Sequence, residues 1–185
     1  MIRWLTLAGL LLSGAIGAPL IGDKLPPLQG NYLTGTRAEL PEDLRGKVAL
    51  LIVTFSDGAL ANARKWKSAF DEKTAGQPGV FSLEVFLLNP ENRVARALIL
   101  TKLRHTMTRR EERRAIVAFA PEDEWKRRLG FSTGNAACAV LLDATGTVRG
   151  VYRATGPDQR AAQVARAAET VRALRKPGKK PPRGL

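Results

Sequence analysis

Two nearly continuous apolar runs, Lys47 to Phe55 (KVALLIVTF) and Val80 to Leu88 (VFSLEVFLL), constrain the fold more than any other feature of the chain. Both are short and rich in branched or aromatic residues, the pattern of strands buried on both faces. Between them Ala59, Ala63, Trp66 and Phe70 recur at helical spacing and form one apolar face. Strand, helix, strand in that order belongs to a layered α/β domain with helices packed on a mixed sheet.

The remaining segments extend the same pattern. Residues 19–46, rich in Pro and Gly, read as an extended lead-in with turns. Asn89-Pro90 starts a helix through Val94, Leu98 and Lys102, with charged residues dominating as far as Arg114. Ala115 to Ala120 reads as a third strand, and Pro121 opens a helix with Glu122, Asp123 and Glu124 in its first turn. Ala136 to Leu142 and Thr147 to Tyr152 flank Asp143-Ala144-Thr145-Gly146, a hairpin in which Gly146 supplies positive φ. From Pro157 a last helix presents Ala161, Val164, Ala168, Val171 and Leu174 on one face. The order β-α-β-α-β-α-β-β-α predicts a three-layer domain with a central sheet of about five strands.

The N-terminus has the layout of an export signal. Arg3 precedes an apolar run from Trp4 to Leu12, and small residues follow through Ala18. This divides the chain into a signal peptide at 1–17, a domain at 18–175 and a tail at 176–185 that is predicted to be disordered. An exported, periplasmic location is expected, or anchoring through an uncleaved N-terminal segment. Such compartments permit disulfides, yet the chain holds Cys138 alone. One Cys and one His exclude an internal disulfide framework and a four-ligand zinc site. No metal or cofactor is expected.

The net charge of +13 is concentrated. Lys102, Arg104, Arg109, Arg110, Arg113 and Arg114 face only Glu111 and Glu112 within 102–114, a local balance of +4. Residues 172–185 carry Arg172, Arg175, Lys176, Lys179, Lys180 and Arg183 with no acid. Two localised basic stretches suit anionic lipid headgroups or an acidic protein partner. No nucleic acid is expected, because no aromatic stacking platform accompanies the tail. A generally basic composition explains the same charge without any partner.

Three stretches carry a resemblance to the thioredoxin-like superfamily, in particular to peroxiredoxins and periplasmic thiol-disulfide oxidoreductases. They are Gly22-Asp23-Lys24-Leu25-Pro26, the strand entry Leu44-Arg45-Gly46-Lys47-Val48, and the hairpin Leu142-Asp143 through Gly146 and Val148. The resemblance covers about residues 20–175. It implies a C-x-x-C at the end of the first core strand, where a helix N-terminus lowers the thiol pKa. Here Leu60 and Ala63 stand at those positions. The proline that faces the cysteines in active relatives is replaced by Ala137. The C-terminal half also resembles the mitochondrial ATP-synthase assembly factor family. That likeness rests on Asn89, the basic Leu98 to Arg114 helix, Arg128-Leu129-Gly130-Phe131, Asn135 and the run Leu142 through Arg149. Gly150 stands where that family has Trp, and Gly156 fits its trailing Gly. This second likeness implies help in assembling a membrane complex rather than catalysis.

The resulting expectation is an exported, redox-inactive thioredoxin-like protein that acts by binding, as an accessory or assembly factor. The alternative is a divergent thiol-disulfide oxidoreductase or peroxidase that uses Cys138. Against it, Cys138 lies between Ala137 and Ala139 and reads as a small buried hydrophobe in a strand. His105 has no Cys or Asp at ligand spacing and reads as a solvated helix residue. Trp66 and Trp125 read as packing residues.

Overall fold

A computed structural model describes residues 20–88, 93–130, 137–154 and 156–175. The expected signal at 1–17, the tail at 176–185, and Asn89, Pro90 and Asn135 lie outside the described residues.

The strands are β1 (Leu28–Tyr32), β2 (Arg37–Leu40), β3 (Val48–Thr54), β4 (Val80–Leu88), β5 (Ala115–Phe119), β6 (Cys138–Leu142) and β7 (Val148–Arg153). The helices are α1 (Leu60–Lys73), α2 (Arg93–Thr106), α3 (Arg109–Glu112), α4 (Glu122–Arg128) and α5 (Pro157–Arg175). One sheet runs in the order β2-β1-β5-β4-β3-β6-β7. Its middle, β5-β4-β3, is parallel, and the strands on either side are antiparallel. The two long apolar runs are thus adjacent central strands.

Side-chain alternation divides the core by sheet face. Leu50, Ile52, Ala139 and Leu141 point to one face and pack with Trp66 and Phe70 of α1 and Val164 and Val171 of α5. Leu51, Val53, Val85 and Val140 point to the other and pack with Trp125 of α4 and Leu129. A third cluster joins Phe86 and Val117 to Leu103 and Met107 around the end of α2.

The sheet has seven strands where about five were expected. The two extra ones are a hairpin made from the lead-in, and they have no β-branched residue to announce them. They form by pairing: β1 joins β5, and Ala38 and Leu40 of β2 turn inward beside Leu28. Gly30 allows the approach, since a Cβ there would stand 2.5 Å from the Val117 carbonyl oxygen.

The basic helix expected from Leu98 to Arg114 is broken. Thr108 caps α3 with a reciprocal capping box to Glu111, α3 ends at Glu112, and Ala115 begins β5. Arg113 and Arg114 therefore leave the chain from a turn and not from a helix face.

Candidate functional site

The C-terminal end of β3 delivers the chain into the segment where the resemblance places its chemistry. Phe55 and Ser56 lead to a 3-10 turn at Asp57–Ala59, and α1 starts at Leu60. Ala59 and Ala63 are fully buried. Leu60 is half-buried and packs against the cluster of Phe86 and Leu103, tying the start of α1 to α2. Ala63 and Ala137 belong to one apolar cluster with Leu50, Ile52 and Trp66. Ala63 and Ala137 thus lie in the same α1-side core, and both positions carry methyl groups.

Cys138 does not join them. It is the next residue on β6 and so faces the opposite side of the sheet, among Val53, Val140 and Trp125 of the α4-side core. It is 0% exposed. Burial pushes its thiol up to about 12, and the nearby Arg153 charge offsets only part of that. Arg153 sits opposite Cys138 in the β6–β7 register, a neighbour that sequence distance conceals. Its guanidinium is engaged by the Leu129 carbonyl oxygen.

The basic residues of 102–114 are divided between α2, which carries Lys102 and Arg104, α3, which carries Arg109 and Arg110, and the turn that holds Arg113 and Arg114. Arg104 donates to the Leu33 carbonyl at 3.2 Å, and Arg109 pairs with Glu112 at 3.0 Å. Lys102 and His105 are exposed on α2. Arg113 borders a shallow surface hollow beside Tyr32 and Asp43. Lys176, Lys179, Lys180 and Arg183 lie outside the described residues.

Arg110 and Arg114 instead border a charged cleft of about 500 Å³ between α1 and α3. Helical spacing puts Arg64, Lys67 and Asp71 on the α1 wall. Lys67 donates to Asp71 Oδ2 at 2.7 Å, Ser82 donates to Oδ1 at 2.6 Å, and Arg114 lies 3.6 Å from Oδ2. Glu111, on the opposite wall, is held by the Thr108 backbone N–H and hydroxyl, which lower its pKa. Glu84 of β4 lines the floor at 2% exposure. Its Oε2 and the Nε–H of Arg64 are both buried without a hydrogen-bond partner. Desolvation raises the Glu84 carboxyl above the ordinary range, against the lowering pull of Lys67 and Arg64. Neither Glu84 nor Arg64 belongs to a motif. The one signal in the sequence is a lone carboxylate inside the apolar run VFSLEVFLL.

The chain matches no protein-family model and no curated protein. Solved structures do match. The exposed lipoprotein thioredoxin of Streptococcus pneumoniae is 12% identical, with a TM-score of 0.52 over 78% of this chain and 99% of that one. BsSco, a member of the Sco family of cytochrome c oxidase assembly proteins, is 14% identical, with a TM-score of 0.52 over 83% and 97%. A Chlorobium tepidum protein provisionally assigned as thiol:disulfide interchange protein DsbE is 21% identical, with a TM-score of 0.53 over 82% and 99%. At these identities the likeness is one of fold. The chain has a thioredoxin-like α/β fold, with a mixed sheet flanked by helices.

Proposed function

We propose that this is an exported thioredoxin-like protein that acts by binding, as an accessory or assembly factor, without thiol chemistry. The observation that carries the reading is the separation of its one thiol from the family's reactive position. Cys138 is buried on the sheet face opposite α1, while Leu60 and Ala63 occupy the start of α1. A nucleophilic thiol needs exposure and a lowered pKa, and Cys138 has neither. An assembly role accords with BsSco, a member of a family of cytochrome c oxidase assembly proteins, and with the resemblance read from the C-terminal sequence to the ATP-synthase assembly factors. The basic residues of 102–114 and the tail cations are the proposed contacts for an acidic protein or an anionic membrane.

The test is insulin reduction and peroxide consumption by wild type and Cys138→Ser. Background rates from both proteins are expected. Turnover by wild type that disappears in the variant would establish the enzymatic alternative.

A further inference from the structure

The charged cleft has no part in the thiol question and stands apart from it. Four cations, Arg64, Lys67, Arg110 and Arg114, border it against three carboxyls, Asp71, Glu84 and Glu111. Two of those acids are already satisfied: Asp71 by Lys67 and Ser82, Glu111 by the Thr108 cap. Arg110 has no ion-pair or hydrogen-bond partner among the described residues and is exposed at the rim. What the protein leaves unpaired is therefore the Arg110 guanidinium at the rim, one buried N–H donor on Arg64, whose terminal nitrogen already donates to the Thr106 carbonyl at 2.9 Å, and one buried acceptor on Glu84.

An occupant that completes this set must be anionic, must accept a hydrogen bond and must also share a proton with a carboxylate. Sulfate and simple carboxylates offer only acceptors near neutral pH. A phosphate group can take up one proton there at small cost, because its second ionisation, at about pH 6 in monoesters, lies close to neutral pH. Beside a carboxyl that burial already inclines to hold its proton, a single hydrogen bond forms whichever group carries it.

We propose that this cleft binds a phosphate group, free or as a small phosphomonoester, with the cations holding its charge and Glu84 sharing its proton. The volume of about 500 Å³ leaves room for an organic part beside the phosphate. Sulfate, equal in shape and charge, is disfavoured because it brings no proton to Glu84.

Isothermal titration of the full chain with inorganic phosphate and with sulfate, at matched ionic strength and pH 7, tests this. Wild type is expected to prefer phosphate by about tenfold, the cost of one buried polar group left unpaired. In Glu84→Gln the side chain supplies its own N–H, so the preference should vanish while a site remains. Arg110→Ala removes a rim cation without touching the core, and should weaken phosphate by about tenfold with an unchanged unfolding midpoint. Equal affinity for the two anions in wild type overturns the proposal. So does the absence of phosphate binding at about 10 mM, a concentration far above any specific affinity. Unchanged phosphate affinity in Arg110→Ala overturns it as well, whether or not Glu84→Gln folds. A parallel titration with glycerol 3-phosphate separates the sources: tighter binding than inorganic phosphate assigns an esterified ligand, and equal binding assigns the free ion.

Discussion

Cys138 and Ala137 are neighbours in sequence and lie on opposite sides of the sheet. That single alternation puts Ala137 in the α1-side core that also holds Ala63, and places the only thiol in the α4-side core. In the native state Cys138 is expected to resist a thiol reagent, with labelling that follows global unfolding. Rapid stoichiometric labelling of folded protein would contradict its placement. Cys138→Ser puts a hydroxyl where no partner is provided and is expected to cost about 1–3 kcal/mol in denaturant unfolding. Cys138→Ala should cost less, because it leaves no polar atom behind. The neighbouring alanines in the sequence already suggested a buried thiol. Which face buries it depends on strand register, and residue types next to it do not specify that.

At the level of elements, the turn of the β6–β7 hairpin is organised by Asp143. Its Oδ1 accepts from the Thr145 hydroxyl at 2.7 Å and from the backbone N–H groups of Thr145 and Thr147 at 2.8 and 3.1 Å. Arg149 donates to Oδ2 at 2.7 Å. Burial works to raise its pKa, but these bonds outweigh it and hold the carboxyl at about 2. A folded pKa below the unfolded one stabilises the protein above the unfolded value, and that contribution is lost as pH falls through the folded one. About 2 kcal/mol is therefore expected to disappear between roughly pH 4 and pH 2. Asp143→Asn should flatten that part of the stability profile; an unchanged acid limb would contradict the assignment. The capping box at Thr108 is the second decisive local device. Thr108→Ala is expected to cost about 1 kcal/mol, measured by chemical denaturation. The Asp143 turn could be read from Asp, Thr and Gly spacing, since its bonds are local. The break at Thr108 was hidden inside a run of charges whose helical pattern continued past it.

Across the whole molecule, the edge hairpin shows how pairing creates structure that propensity does not announce. Gly30→Ala would drive a methyl group against the Val117 backbone and push β1 away from β5. A loss of about 1–3 kcal/mol is expected in thermal or denaturant unfolding. Stability equal to wild type would mean that this edge does not depend on the close approach. The concentration of positive charge is likewise a property of the whole chain. If the tail is a tether, binding to anionic vesicles should fall with added salt and with deletion of residues 176–185. Each Lys or Arg near such a surface contributes about 1 kcal/mol. Binding unaffected by either change would remove the membrane from the proposed partners.

By itself the sequence determined the central strands, the helices that follow them and the absence of thiols at the start of α1. Those features depend on residue type and on spacings of two to four, which a linear chain displays directly. It also carried enough local wording to indicate the thioredoxin-like fold. Only the tertiary structure decided that the lead-in adds two strands and that Cys138 faces away from α1. It alone brought Arg64, Glu84 and Arg110 to one cleft. Each of these depends on pairing or packing between segments far apart in sequence, where register and burial are set by partners that no single segment contains.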